Sequence, residues 1–229
     1  MRLFHVIDHD DAQAGPDVAQ SHLAARGAEL RVHRCYKGDP IPSLDGADGL
    51  IVLGGVQMVT DADATPWMRA EQALMRQALA EGVPSLNICL GAQMLADALG
   101  AKVGPHPEGK AAWGVYELTL LDAADNPFTP GLTALAGNLQ GFDLPDGAEA
   151  LATRDVWPNQ AFRCGAAVGL QFHPEVTEPI LQHWLRVAPE MHDHDGAQDR
   201  ETMEDRFARH QPAAQAWLRG LLDGMFGLV

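Results

Sequence analysis

The chain has 229 residues, of which 46% are hydrophobic and 21% charged. These proportions are typical of one globular domain with a sizeable core, and they argue against disorder. The formal net charge is −15 and no cluster of Lys or Arg interrupts it, which argues against nucleic acid and membranes as partners. The apolar runs are too short to span a membrane, and Asp8 comes too early for a signal peptide. We therefore expect a cytoplasmic protein.

The first half of the chain alternates strand-like and helix-like segments. We predict strands at residues 3–7, 29–33, 49–53 and 83–88, and helices at about 16–26, 66–82 and 91–99. The continuous apolar run 49–53 is typical of a strand buried on both faces. This alternation predicts an α/β fold, with a mainly parallel open sheet and helices on both faces.

The second half changes in style after Gly104. Short strand-like pieces at 115–121, 148–153, 160–163 and 167–172 are separated by Pro, Gly and Asn. They either extend the sheet or form an antiparallel flap. Helices are expected at about 178–187, 199–210 and 212–225. We predict a single domain over residues 1–229, with a helical extension from about residue 178.

The linker at residues 191–196 alternates His and Asp. Imidazoles and carboxylates are metal ligands, but neighbouring residues on a loop, without distant partners, are more typical of a solvated connection. We therefore expect no metal site.

The three cysteines, Cys35, Cys89 and Cys164, form no CxxC pair and no disulfide framework. Cys89 differs from the other two because a strand leads into it and a helix follows at once, with Gly91 two residues later. This layout is typical of a nucleophile elbow. The helix amino terminus favours a thiolate, and Gly91 allows close packing of helix on strand. The alternative is that Cys89 is a small core residue.

A second chemical signal is the strand that ends in Gln171-Phe172-His173-Pro174-Glu175. A thiol nucleophile needs a base, and imidazole suits that role near neutral pH. Glu175 could orient the ring and stabilise the imidazolium. Alone, His173 would more often be structural, but together with Cys89 it favours catalysis.

A third signal is the Gly54-Gly55 pair after the buried strand at 49–53. Glycine turns let backbone N–H groups approach a ligand closely. The N–H groups of Gly55 and Leu90 could stabilise an oxyanion. The pair alone is weak evidence.

In this order, the three signals resemble the class I (triad) glutamine amidotransferases, whose motifs are G-x-C-x-G-x-Q and H-P-E. The resemblance is densest over residues 48–104 and 161–176. Within the family, the chain is similar to the stand-alone branch that is related to the amidotransferase domain of GMP synthetase. It implies a flavodoxin-like fold and hydrolysis of a γ-glutamyl amide without ATP, metal or another cofactor. The implied residue roles are nucleophile for Cys89, base for His173, third triad member for Glu175, oxyanion donors for Gly55 and Leu90, and substrate binding for Gln93 and Gly54.

Two positions depart from the family pattern. Asn87 stands where relatives have Gly, and Asn tolerates unusual backbone angles well. The segment 137–141 lacks the His-Gly-Asp-like sequence that contacts glutamine in relatives. Asn138 or Gln140 takes the place of that His, so substrate recognition could differ or an amide could simply replace the imidazole.

Three functions remain open at this point. The chain could be a glutaminase subunit that feeds ammonia to a synthetase or another acceptor protein. It could be a free-standing hydrolase of N-substituted γ-glutamyl amides. In both cases the small-molecule substrate is a γ-glutamyl amide. The alternative is a catalytically silent regulatory or binding module with the same fold.

Overall fold

The computed structural model describes residues 1–10 and 15–228. The strands, in chain order, are β1 (Leu3–Ile7), β2 (Glu29–His33), β3 (Gly49–Val52), β4 (Ser85–Ile88), β5 (Val103–Pro105), β6 (Ala112–Glu117), β7 (Thr119–Leu120), β8 (Thr133–Asn138), β9 (Gln140–Phe142), β10 (Glu149–Thr153), β11 (Ala161–Cys164) and β12 (Ala167–Leu170). The α-helices are α1 (Val18–Ala25), α2 (Pro66–Glu81), α3 (Leu90–Ala98), α4 (Glu178–Val187) and α5 (Arg200–Phe226).

The central sheet has eight strands in the order β2-β1-β3-β4-β12-β11-β10-β7. The first five are parallel, and the last three are antiparallel to their neighbours. The predicted α/β fold with a mainly parallel sheet is confirmed. The second half of the chain does both things that its sequence left open. It extends the sheet, and it also forms two separate antiparallel pairs, β5 with β9 and β6 with β8.

Helices cover both faces of the sheet because strand residues alternate between two cores. Phe4, Ile51 and Leu86 lie in one core together with residues of α1 and α5. Leu50 and Val52 lie in the other core together with residues of α2 and α3. All four residues of β3 are buried, as the continuous apolar run predicts.

The last helix differs from its prediction. Two helices, at 199–210 and 212–225, were expected, but α5 runs without a break from Arg200 to Phe226 with Pro212 inside it. The prediction was wrong because packing at both ends outweighs the hydrogen bond that a proline removes. Phe207 packs against residues of α4 and β6, while Leu218 and Leu222 lie in the core under the central sheet.

None of the helices within residues 1–10 and 15–228 combines the length and apolar character that crossing a bilayer requires.

Candidate active site

Cys89 lies at the sharp turn between β4 and α3. Its backbone has φ 50° and ψ −105°, an unfavourable region for a residue with a side chain, and such strain is concentrated at functional sites. The Cys89 N–H donates to Leu170 O at 2.7 Å, which anchors the turn to β12. A side-chain carbon at Gly91 would collide with the carbonyl oxygen of Val52. Gly91 therefore permits the close approach of α3 to β3, as its position in the sequence suggests.

His173 and Glu175 follow β12, the parallel neighbour of β4, so they lie at the same sheet edge as Cys89. His173 Nδ1 donates to Glu175 Oε1 at 2.8 Å, and both side chains are buried. Burial by itself lowers the pKa of His173, but the Glu175 carboxylate and the Cys89 sulfur outweigh it and raise that pKa to about 10. These two neighbours therefore favour the protonated form of the ring.

The two glycines after β3 pass directly beside these side chains. A Cβ at Gly54 would lie 2.9 Å from His173 Cε1 and 3.4 Å from Cys89 Cβ, and one at Gly55 would lie 3.1 Å from Leu90 Cδ2. The chain can run this close to the Cys and His only because it has no side chain here. The structure thus brings together the residues proposed from sequence as catalytic groups and oxyanion donors.

Asn138 and Gln140, the two alternatives for the family's missing His, have different environments. The Gln140 amide is fully occupied, because Nε2 donates to Thr60 Oγ1 at 2.7 Å and Oε1 accepts from the Val59 N–H at 3.0 Å. Asn138 Nδ2 donates to Gln140 O at 2.9 Å, but its buried Oδ1 has no partner within the described residues. Gln140 therefore anchors the segment that contains Val59 and Thr60, whereas Asn138 retains an oxygen that can accept a hydrogen bond.

Gln93 lines the cleft beside Cys89, but its side-chain nitrogen is used internally. Nε2 donates to Gln140 O at 2.7 Å and to Gln171 Oε1 at 3.1 Å. The Gln171 amide nitrogen in turn lies 3.5 Å from Cys89 Sγ. Sequence reasoning assigned no role to Gln171. Its position two residues before His173 was a usable signal, since alternate residues of an extended segment share a face.

Asp17 is a second residue that sequence reasoning missed. It caps α1 by accepting from the Gln20 N–H, and the next residue, Val18, donates its N–H to Glu175 O at 2.9 Å. Burial raises the pKa of Asp17 to about 7; the Gln20 N–H opposes the rise, and the nearby charge of Glu175 adds to it. Only a helix cap is visible in the sequence here, because the approach to Glu175 depends on the fold.

The explanation offered for Asn87 from sequence is wrong. Among the described non-glycine residues, positive φ occurs at Cys89 and Asp125, so Asn87 does not use an unusual backbone angle. Its side chain is fully buried and donates to Ser85 Oγ and to Val168 O, each at 3.1 Å. Asn87 therefore links β4 to β12, the two strands that carry the reactive groups.

The other two cysteines lie away from the cleft. Cys35 is buried, and that burial raises its pKa to about 12. Cys164 is half-buried at the end of β11. The contrast leaves Cys89 as the cysteine that lines the cleft.

The His- and Asp-containing linker is more ordered than expected. Residues Pro189–Asp193 form a short 3-10 helix. His192 Nδ1 donates to Gln198 O at 2.7 Å, and the Trp113 indole N–H points to His192 Nε2 at 3.4 Å. His192 thus contacts the Trp113 side chain and is not part of a fully solvated connection. Within the described residues, His, Cys, Asp and Glu side chains form no group of three or more suited to a metal ion.

Cys89, His173 and Glu175 open into one large cleft with a volume of about 690 Å³. Gly54, Gly55, Gln93, Asn138 and Gln140 also line it. Every position proposed from sequence as catalytic or substrate-binding therefore borders the same cavity.

The family model of the class I glutamine amidotransferases matches residues 17–181 of this chain, and the chain belongs to that family. It is 32% identical over 201 residues to the glutamine amidotransferase-like protein YfeJ of Salmonella typhimurium, covering 80% of this chain and 81% of that protein.

Two further comparisons bear on the fold and on the family. A crystal structure of a glutamine amidotransferase from Thermotoga maritima superposes with a TM-score of 0.87 and 26% identity, covering 98% of each chain. The glutamine-hydrolysing GMP synthase of Thermomicrobium roseum is 35% identical over 138 residues, which is 58% of this chain and 24% of that synthase. The chain thus matches about a quarter of that longer relative.

Proposed function

We propose that this protein hydrolyses the γ-amide of glutamine or of an N-substituted γ-glutamyl amide through a thioester on Cys89. The observation that carries the proposal is the buried His173–Glu175 pair, 2.8 Å between Nδ1 and Oε1, at the same sheet edge as the strained Cys89. A nucleophile, a base and an orienting carboxylate at one edge are what acyl transfer requires. The class I amidotransferase family supports the same chemistry.

The protonation of His173 favours an ion-pair mechanism. Because the pKa of His173 is raised to about 10, Cys89 would react as a thiolate paired with an imidazolium. The sulfur adds to the amide carbon and forms a C–S bond, which gives a first tetrahedral intermediate. The C–N bond of the amide then breaks as His173 donates its proton to the departing nitrogen, which leaves the thioester. The Gln171 amide, 3.5 Å from Sγ, would stabilise negative charge on the sulfur.

The second half of the reaction releases the acid. In the proposed mechanism, the now neutral His173 takes a proton from water, and the hydroxide adds to the thioester carbon. Collapse of this second tetrahedral intermediate breaks the C–S bond and frees glutamate, so that thiolate and imidazolium are restored. The backbone N–H groups of Gly55 and Leu90 are the proposed donors to the oxyanion in both steps.

Binding of the γ-glutamyl part is assigned to the part of the cleft that Gln93 and Asn138 line. Of the two amides at the family's His position, Asn138 keeps a free acceptor, Oδ1, which suits the α-ammonium group of a substrate. Gln93 shapes this part of the cleft through its bonds to Gln140 and Gln171. Loss of one hydrogen bond to a bound polar group typically costs about 1–3 kcal/mol, so Asn138→Ala should raise KM for glutamine, whereas Gln140→Ala should first loosen the Val59–Ala64 segment.

The experiment that tests the proposal is active-site labelling together with hydrolysis. A glutamine-like chloroketone should alkylate Cys89 at neutral pH, while Cys35 and Cys164 serve as controls within the chain. Mass spectrometry locates the label, and release of glutamate from glutamine and from N-substituted γ-glutamyl amides measures turnover. If Cys89 is not labelled and no amide is cleaved, the protein is a binding module. Ammonia transfer to a partner synthetase is a further proposal, tested by co-purification.

A further inference from the structure

We propose that the substrate carries an apolar substituent on its amide nitrogen, and that helix α4 forms the subsite for this leaving group. The inference rests on the proposed function, because it assigns a chemical class to the amine released by the Cys89 reaction. It follows from the position of His173, from the residues that α4 presents to the cleft, and from the charges around the cleft.

The leaving nitrogen must come within hydrogen-bonding distance of the His173 nitrogen that delivers the proton. Nδ1 is bonded to Glu175, so the donor is Nε2, whose neighbour among the described residues is the sulfur of Cys89. The indole ring of Trp184 packs edge-on against the His173 ring, with 4.9 Å between centroids. A substituent on the departing nitrogen therefore extends along the surface that begins with Trp184.

That surface is one face of α4. Ile180, Trp184 and Val187 are spaced so that they share a helix face, and all three line the cleft. Leu181 and Leu185 of the same helix are buried in the core. The helix thus has a second apolar face that no protein segment in the described part of the chain covers completely, since Val187 is 56% exposed.

Aromatic packing holds Trp184 in place and extends this face of α4. Trp184 stacks on Trp113, with ring centroids 6.0 Å apart and an interplanar angle of 28°. Both rings lie over Gly137, where a Cβ would be 3.3 Å from Trp113 and 3.4 Å from Trp184. Met191, which also lines the cleft, continues the apolar surface beyond Val187. When glutamine is the substrate, ammonia leaves and this surface contacts nothing on the leaving group.

The charges around the cleft decide against an anionic amine. The described carboxylates that line the cleft belong to Asp8, Asp10, Asp17, Glu175 and Glu190, and Arg34 is the only Lys or Arg among the described lining residues. Arg34 is paired with Asp8 at 2.8 Å. Glu175 is paired with His173, and the pKa of Asp17 is raised to about 7, whereas Glu190 is exposed and follows Val187 of the α4 face by three residues. Glu190 would repel an amine that carried its own carboxylate, such as an amino acid. The subsite therefore suits alkyl or arylalkyl amines without negative charge.

The experiment is a homologous series of γ-glutamyl n-alkylamides from methyl to hexyl, assayed with the full chain alongside glutamine. Each methylene buried on the α4 face should raise kcat/KM by up to about fourfold, the equivalent of the transfer free energy of one CH₂. The γ-glutamyl amide of 5-aminopentanoate, in which a carboxylate replaces the terminal methyl group of the pentylamide, should be the poorer substrate of that pair.

Three variants connect the preference to α4. Val187→Ser should flatten the dependence on chain length and lower kcat/KM for the hexylamide by about three- to tenfold, with little change for glutamine. Trp184→Phe should also flatten the dependence, and because Trp184 packs against His173, each of its kcat/KM values is compared with the value of the same variant for glutamine. Val32→Ser is the matched control, because Val32 is also a partly exposed valine but lies on β2, outside the cleft. Its chain-length dependence should equal that of the unmodified protein.

Two results would overturn the inference in distinguishable ways. If glutamine is hydrolysed but kcat/KM does not rise with chain length, the leaving-group subsite is wrong and the proposed function stands. If no amide is hydrolysed and the chloroketone fails to label Cys89, the proposed function fails and the subsite fails with it.

Discussion

The thiol and the groups around it are brought to the site in different ways. β4, Cys89 and α3 are consecutive in the chain, so one short segment places the thiol, and contacts from β12 such as the Leu170 carbonyl hold its turn. The groups around the thiol come from distant parts of the chain. His173 lies beyond β12, Trp184 lies on α4, and Val18 at the start of α1 donates its N–H to Glu175 O.

The contrast indicates that reactivity and selectivity depend on different kinds of contact in this protein. The nucleophile depends on a strand, a turn and a helix that form one short segment. The proposed proton donor, His173, and the proposed subsite on α4 depend on contacts between residues that are far apart in sequence. Substitutions in the first group should therefore remove activity without disturbing the fold, while those in the second should change pH dependence, substrate preference or stability.

The largest expected effect comes from removing the sulfur of Cys89, the proposed nucleophile. Cys89→Ala should abolish amide hydrolysis, with a loss of roughly 10⁴-fold or more, because no other group is placed to form the thioester. Circular dichroism and thermal unfolding should remain close to those of the unmodified protein, since the change removes one small side chain and its strained turn is held by the Leu170 contact. Substantial residual turnover would contradict the assignment of Cys89.

The base gives the second largest effect and a pH signature. His173→Asn should lose roughly 10³-fold in kcat, and the unmodified enzyme should lose activity on the alkaline side near the pKa of about 10, where the imidazolium proton is lost. Glu175→Gln should lose less, and it should move the alkaline limb to lower pH because the carboxylate that raises the pKa is gone.

Glu178→Gln is the matched control for this experiment. Glu178 is an exposed carboxylate three residues further along the chain, so its loss should leave the alkaline limb in place. An unchanged limb in Glu175→Gln would show that Glu175 does not set the protonation of His173.

The Asp17 carboxyl should make stability depend on pH in a window set by its two pKa values. Its pKa is raised from 3.8 to about 7 on folding, so between these values the native state holds a proton that the unfolded chain has lost. Stability should therefore fall as pH rises from about 4 to about 7, by roughly 2–4 kcal/mol. Asp17→Asn should remove this slope, measured by denaturant unfolding at several pH values.

Asp199→Asn provides the comparison for a cap with the opposite shift. Asp199 caps α5 at an exposed position, and its hydrogen bonds to Thr202 lower its pKa. The slope between pH 4 and 7 should persist in this variant. If it disappears there and persists in Asp17→Asn, the buried Asp17 is not its origin.

The smallest effect concerns the support of the catalytic loop from α5. Gln211 is buried, and its Nε2 donates to His173 O at 2.9 Å and to Val176 O at 3.1 Å. Gln211→Leu should lower the free energy of unfolding by about 1–2 kcal/mol and should also reduce kcat. Gln215→Leu is the control: Gln215 donates to Val176 O alone, so it should affect stability less and leave kcat unchanged.

The parts of this molecule that sequence predicted well are those with local signals. The turn at Cys89, the role of Gly91 in packing and the His-Glu pair all follow from motifs within a few residues. The break expected at Pro212 was wrong because distant apolar contacts hold α5 together. The strands β5 and β9 escaped prediction because each has three residues, whereas β8 has six but pairs with β6, a strand distant in the sequence.

The position of the α4 face beside His173 had no signal in the local sequence. Ile180, Trp184 and Val187 are visible in the sequence as an apolar helix face, but nothing there says that the face borders His173. Likewise, the choice between Asn138 and Gln140 depends on which amide Thr60 and Val59 occupy. Such information exists only once the chain has folded.

The support that α5 gives to the catalytic loop has a consequence for biosynthesis. His173 and Val176 are translated before Gln211, whose amide holds both carbonyl groups. While α5 of a nascent chain is still inside the ribosome, Cys89 can already be outside, and the carbonyl groups of His173 and Val176 then lack their hydrogen bonds to Gln211. The enzyme's reactive centre is therefore completed late in synthesis, after the sheet that carries its cysteine has emerged.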